Sequence, residues 1–281
     1  MRIFAGKYIA GEQLQDAIDL VKKLNSEGIL ATMDVLGEAI KNKVEAVAAK
    51  NKCMQVLDAI EQYKLLSNLS IKPTQLGLAI DEEFAYKQIS EIVRRAKAIN
   101  NFVRMDMEDS PYTDGTIRVY KRIHKELGHV GIVLQAYLKR TLKDVEDLNK
   151  LNTNYRLCKG IYVEPESIAY KDRQEIRNNF LKALRLMFQN GNYVGIATHD
   201  DYLIENSYKL INELNVPNDK FEFQMLLGVK EDLRYKIRDK GYKVRIYVPF
   251  GKDWYAYSIR RLKENPQIAR YVFNNIFQFG K

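Results

Sequence analysis

Residues 193–248 read YVGIATHDDYLIENSYKLINELNVPNDKFEFQMLLGVKEDLRYKIRDKGYKVRIYV. Three strand-length runs, YVGIAT at 193–198, FEFQML at 221–226 and KVRIYV at 243–248, alternate with helix-length stretches at 201–214 and 229–240. In the last run Val244, Ile246 and Val248 alternate with Arg245 and Tyr247, a period of two. A strand followed by a helix and then another strand is a crossover unit, and crossovers join parallel strands. Beyond it, Pro249 and Gly251 are expected to break the strand, and Asp253 to cap a final helix.

The same alternation continues upstream. A helix is expected at 12–25, where Leu14, Ala17, Ile18 and Val21 form one stripe, and an apolar strand at 29–35. A long helix from Glu38 to about Leu65 leads to a strand at 69–73. Helices at 81–99, 115–127, 142–151 and 168–189 then alternate with strands at 102–107, 131–136 and 155–160. That makes eight strands, each followed by a helix, with no Pro/Gly/Ser-rich linker. Eight such units in about 250 residues predict an α/β fold closed into a (β/α)8 TIM-type barrel. Residues 1–281 are expected to form one catalytic domain with an extra N-terminal helix. An open doubly wound sheet would carry a glycine-rich fingerprint after its first strand, and none is present.

Composition narrows the function. The net charge is +9, but no block of five or six like charges occurs, so a nucleic-acid tail is excluded. A weak basic field suits anionic substrates or an acidic membrane surface. Cys53 and Cys158 are far apart and lack metal-ligand spacing. MRIFAGKYIAGEQ lacks the apolar run of a signal peptide, and nowhere do 18 apolar residues run uninterrupted, so a cytoplasmic protein without a membrane span is expected.

In a barrel, chemistry gathers at the C-terminal ends of the strands. Those ends carry Asp34, Lys72, Asp106, Gln135, Lys159, Thr198 with His199, Gln224 and Tyr247. Lys72 and Asp106 are expected to pair, and Arg156 and Lys159 lie near the same rim. On the final helix Tyr257, Arg260, Arg261 and Glu264 share one face. Adjacent guanidiniums repel unless they share an anion, so the mouth reads as a site for a carboxylate or phosphorylated ligand. No nucleophile elbow, phosphate-binding loop or metal cluster is present.

IKPTQLGL at 71–78, VRMDMED at 103–109, VLQAYLKRT at 133–141, RLCKGIYVEPE at 156–166, IATHD at 196–200, FEFQMLLG at 221–228 and Tyr257-x-x-Arg260-Arg261-x-x-Glu264 together resemble the proline dehydrogenase family. The resemblance is greatest to its single-function bacterial and archaeal members. It implies FAD-dependent oxidation of L-proline to Δ1-pyrroline-5-carboxylate, the first step of proline degradation to glutamate. It also implies a distorted barrel whose last helix sits over the strand ends. By resemblance, Arg260, Arg261 and Lys72 clamp the proline carboxylate, and Glu264 and Asp106 orient those cations. Tyr257, Tyr162, Tyr247 and Leu226 wall the ring. Arg156 approaches the flavin, Gln135 and Lys159 its isoalloxazine and polar edge, and Thr198, His199 and Gln224 hold the dinucleotide. Lys72, Asp106, Arg156 and Tyr162 are thus the expected catalytic set, with no metal. Ile161 departs from the family, which usually has alanine there, and bears on local packing. Electrons are expected to pass to a quinone-type acceptor through at most peripheral contact with the inner face of the membrane. No second catalytic region follows, so a separate pyrroline-5-carboxylate dehydrogenase is implied.

Two other readings compete. A Schiff-base, aldolase-type barrel would use Lys72 or Lys159 as its amine, but needs an apolar setting to lower that amine's pKa. A non-catalytic barrel would carry a broken arginine pair, and both arginines are present. The clamp makes a prediction. Arg260→Ala or Arg261→Ala raises the KM for L-proline about ten- to hundredfold and leaves FAD bound; a wild-type KM in either variant removes the clamp.

Overall fold

The computed structural model of the chain describes residues 8–37 and 40–254. Helix α1 (Leu14–Ser26) comes first. Strands β1 (Leu30–Val35), β2 (Ser67–Ile71), β3 (Val103–Met105), β4 (Val130–Gln135), β5 (Tyr155–Cys158), β6 (Val194–Ala197), β7 (Phe221–Leu226) and β8 (Val244–Phe250) follow in order. They close into a barrel in sequential order. Between them lie α2 (Lys43–Gln62), α3 (Glu82–Ala98), α4 (Ser110–Leu127), α5 (Thr141–Asn149), α6 (Arg173–Gln189), α7 (Asp201–Glu213) and α8 (Glu231–Asp239). Closure comes from β1 pairing parallel to β8, Leu30 opposite Arg245 through Val35 opposite Phe250. Helix α1 packs against β1 and β8, covering the seam.

Several boundaries differ from the sequence reading for local reasons. Strand β8 does not break at Pro249: that residue stands opposite Asp34, and its carbonyl accepts from Ala10 N–H at 2.9 Å. A proline removes only a donor, so it is tolerated where the ladder needs its acceptor. The break falls at Gly251, whose φ of +135° few other residues adopt. Helix α2 starts at Lys43 because the Asn42 side chain accepts from Glu45 N–H. Helix α4 starts at Ser110, earlier than expected, with Pro111 in its first turn. Helix α6 begins after Asp172, whose carboxylate caps Gln174 and Glu175 N–H. The final helix expected after Asp253, and with it Tyr257, Arg260, Arg261 and Glu264, lies outside the described residues.

Strand alternation divides the molecule into an apolar shell and a polar bore. Outward-facing Met33, Leu69, Val103, Ile132, Leu157, Ile196, Phe223 and Ile246 are at most 1% exposed and pack against the helices. Each such side chain contributes about 1.5–3 kcal/mol through burial. The inward positions are different: Thr32, Asn68, Ser70, Arg104, Arg156, Glu222, Gln224 and Arg245 meet inside the barrel. Barrels of this kind ordinarily fill that space with branched aliphatics. Here hydrogen bonds fill it instead.

Glycines make the room. Arg104 is fully buried and donates from Nη1 to Asn154 O at 2.7 Å and from Nη2 to Asn154 Oδ1 at 2.5 Å. Burial, with Arg156 close by, lowers its pKa below the usual guanidinium value while leaving it charged at neutral pH. A Cβ on Gly131 of β4 would stand 2.4 Å from Arg104 Nη1 and 2.7 Å from Asn154 O. Gly131→Ala therefore destabilises the fold by about 1–3 kcal/mol, read as a lower urea midpoint. An unchanged midpoint would show that both Arg104 and the Asn154 backbone can shift to admit the methyl group.

Candidate active site

The C-terminal ends of the strands open into a cavity of about 940 Å³. Every expected site residue that the structure describes lines it: Lys72, Asp106, Gln135, Arg156, Lys159, Tyr162, Thr198, His199, Gln224, Leu226 and Tyr247. They come from strands β2 to β8 and the loops that follow them, so only barrel closure brings them to one place.

The inner part of the cavity is one connected set of charges. Lys72 Nζ donates to Asp34 Oδ1 at 2.6 Å and Oδ2 at 2.8 Å. Asp106, the partner expected from sequence, stands at 4.0 Å. Its Oδ1 instead accepts from Arg156 Nη1 at 2.8 Å and Ser70 Oγ at 2.6 Å, and its Oδ2 accepts from Tyr247 OH at 2.9 Å. The Tyr247 hydroxyl also lies 3.5 Å from Lys72 Nζ, which joins the two pairs. Arg156 sits over the Tyr247 ring at 5.3 Å, and its Nε donates to Gln224 Oε1. Burial alone would lower the Lys72 pKa, but Asp34 and then Asp106 overcome it and hold the amine above its ordinary value. Lys72 is thus an ammonium donor and cannot serve as a neutral nucleophile at physiological pH.

The outer part is organised by Asp200. It caps α7, accepting from Tyr202 N–H at 3.2 Å, and accepts from Arg177 at 2.8 Å and 3.0 Å. Lys159 at 3.4 Å and Arg173 at 3.5 Å share the same carboxylate. Burial pushes this carboxyl up, yet the Arg177 hydrogen bonds and the Lys159, Arg177 and Arg173 charges hold it at about 2. Three cations and a helix N-terminus around one carboxylate leave an excess of positive potential at the rim. Arg173 and Arg177, spaced i,i+4 in the first turns of α6, were not among the residues expected from sequence. Nor was Asp34 given a role, although its place at the end of β1 was the available signal.

Local geometry sets the remaining groups. His199 Nε2 accepts from Leu226 N–H at 2.9 Å, so the proton of the neutral ring is on Nδ1. Gln135 is buried and donates to Glu108 O at 2.9 Å, while Glu108 accepts from Thr74 N–H and Oγ–H at 2.9 and 2.6 Å. Half-buried Tyr162 follows Gly160, whose φ is +110° and whose Cβ position lies 2.1 Å from the Tyr137 ring. Any side chain at 160 would displace that loop.

The chain matches the family model described as proline dehydrogenase over residues 17–272. It is 38% identical over 275 residues to proline dehydrogenase 2 of Bacillus subtilis (strain 168), covering 98% of this chain and 91% of the relative. To proline dehydrogenase of Deinococcus radiodurans it is 35% identical over 282 residues, covering 98% and 90%. Among solved structures, it resembles proline utilization A (PutA) from Bdellovibrio bacteriovorus inactivated by N-propargylglycine. The TM-score is 0.88 at 26% identity over 94% of this chain, which spans 33% of that larger protein.

The rim carboxylate carries a pH dependence. Its folded pKa of about 2 lies below the ordinary 3.8, so its stabilisation is complete above about pH 4 and lost as pH falls toward 2. Because the surrounding cations reach solvent, about 1–2 kcal/mol is expected from this group. Asp200→Asn should lower stability at pH 7 by that amount and flatten the loss between pH 4 and 2; an acid-unfolding curve parallel to wild type would exclude it.

Proposed function

The chain belongs to the proline dehydrogenase family, and on that premise we propose that it binds FAD and oxidises L-proline to Δ1-pyrroline-5-carboxylate. The observation that carries this reading is the single cavity with two kinds of charge: a fixed Lys72 ammonium within and an unbalanced cation cluster at the rim. The inner end suits one carboxylate on a small apolar ring. The outer end suits a pyrophosphate, which prefers a helix N-terminus and flanking guanidiniums.

FAD fits the donor set. Lys159, Arg173, Arg177 and the N-terminus of α7 would take its phosphates, and Thr198, His199 and Gln135 line the path between rim and floor. Gln224, expected to hold the dinucleotide, is buried in the floor between Arg156 and Glu222, where its part is to orient Arg156. Bound in this cavity, the flavin supplies the two-electron oxidation. The chain's own groups position and shield. Lys72, held from behind by Asp34, would turn toward the proline carboxylate the N–H that now points at the Tyr247 hydroxyl at 3.5 Å. Asp106 fixes Arg156 and the Tyr247 hydroxyl together, so the guanidinium and the ring keep one relative pose. Tyr247, Leu226 and Tyr162 give the apolar ring a wall that keeps water out. Arg260, Arg261, Glu264 and Tyr257 are proposed, on the resemblance, to complete the carboxylate clamp.

The held charge on Lys72 weighs against the Schiff-base alternative, which needs a neutral amine. Electrons from the reduced cofactor are proposed to pass to a quinone-type acceptor by peripheral contact with a membrane. Among the described residues no helix is long and apolar enough to cross one. The product is proposed to go to a separate pyrroline-5-carboxylate dehydrogenase.

Purified enzyme should carry a flavin absorbance band that L-proline bleaches under anaerobic conditions. Protein that takes up FAD yet stays oxidised in excess L-proline would contradict the proposal. Lys72→Met should raise the KM for L-proline about ten- to hundredfold with FAD retained, since one charge-assisted bond is lost. An unaltered KM would remove Lys72 from the carboxylate site.

A further inference from the structure

The floor of the cavity rests on a second tier of buried polar groups. The Gln224 amide is engaged at both ends: Oε1 accepts from Arg156 Nε at 2.5 Å, and Nε2 donates to Glu222 Oε1 at 2.6 Å. A guanidinium only donates and a carboxylate only accepts, so one orientation of the amide satisfies both neighbours. The flipped amide would set N–H against N–H and oxygen against oxygen. Glu222 therefore decides which atom Gln224 presents upward.

Glu222 is itself fixed. It is fully buried on β7, two residues before Gln224 and on the same inward face. Arg245 Nε donates to the same Oε1 at 2.6 Å. Arg245 is anchored in turn, with Nη1 donating to Ala31 O at 2.6 Å and to Asn68 Oδ1 at 3.0 Å. Strand β6 leaves space for this contact, because a Cβ on Gly195 would stand 2.3 Å from Gln224 Nε2. At its other end Arg156 is held by Asp106 Oδ1 at 2.8 Å and Ser70 Oγ at 3.2 Å. Asp106 and Ser70 alone leave the guanidinium able to pivot about Nη1. The Gln224 acceptor on Nε, two strands away on β7, fixes its plane.

We propose that Glu222, acting through Gln224, is a positioning residue that sets the plane of the Arg156 guanidinium at the cavity floor. The inference rests on the proposed function, in which Arg156 faces the flavin, and adds what holds it there. Glu222 touches neither substrate nor cofactor; its effect reaches them through two hydrogen bonds.

The test compares Arg156→Ala, Glu222→Gln and Gln224→Met in the FAD-loaded enzyme. Flavin absorbance, flavin reduction potential, kcat and the KM for L-proline are each measured. All three variants are expected to move the absorbance and the potential in the same direction. Glu222→Gln and Gln224→Met should lower kcat about tenfold and change KM by about twofold or less. Glu222→Gln leaves Arg245 without its anion and lowers Tm. Gln224→Met keeps that ion pair intact, so it carries the test if Glu222→Gln does not fold. If Arg156→Ala moves the flavin signals and Gln224→Met leaves them at wild type, or lowers Tm alone, the relay is overturned and the proposed function stands. If Arg156→Ala leaves spectrum, potential and kcat unchanged, Arg156 does not face the flavin, and the inference falls with that part of the function.

Discussion

Charge held inside a closed barrel has no water to fall back on, so each buried charge must find its partner across the bore. Arg156 and Arg245 meet it with Asp106 and Glu222, and Arg104 with the carbonyl and side-chain oxygens of Asn154. An unpaired buried charge is strongly destabilising, whereas a pair with saturated hydrogen bonds is tolerable. The consequences run through the fold. Gly131 and Gly195 exist as gaps for Arg104 and Gln224. Arg245 reaches β1 and β2 from β8, so the polar bore reinforces the strand pairing that closes the barrel. The apolar core lies outside the sheet, and the inside is left for placing chemistry.

This arrangement separates two tasks that might otherwise compete for one carboxylate. Asp34 takes Lys72 in a two-oxygen contact, and so Asp106 is available to bind Arg156 with one oxygen and Tyr247 with the other. Had Asp106 been the main partner of Lys72, Arg156 would lack its anion. The Lys72 side chain is 19% exposed, enough to meet a ligand while its charge is fixed from behind. Lys159 at the rim is 40% exposed and shares Asp200 with two arginines. The inner charges are thus matched and the outer ones are in excess, which suits the proposed carboxylate substrate and phosphorylated cofactor respectively.

The chain aligns with about nine-tenths of the Bacillus and Deinococcus relatives and spans about a third of the larger PutA chain. Its site is assembled from strand ends and their loops, with each floor residue braced by the bore beneath it.

The barrel is legible in the pattern of the chain. Period-two runs such as Val244-Arg245-Ile246-Tyr247-Val248, alternating with helical stripes, admit parallel strands and little else, because each helix must return the chain to the next strand's start. The sequence also pointed to the strand ends that carry Lys72, Asp106 and Gln135, since the position of a residue at a strand's C-terminus follows from the fold class. Partner choice was not readable in this way. Asp34 or Asp106 could equally have held Lys72 from spacing alone, and only the stagger of β1, β2 and β3 around the closed barrel brings Asp34 to 2.6 Å and leaves Asp106 at 4.0 Å. Pro249 continues the strand for a reason that β8 itself does not carry, since Ala10 needs its carbonyl as an acceptor. Nor is the part played by Arg104, Glu222 and Arg245 written in their strands, because a polar residue inside an apolar strand reads as facing solvent. The tertiary structure turned them inward, since in a closed barrel the face away from the helices has no solvent, only the opposite strands.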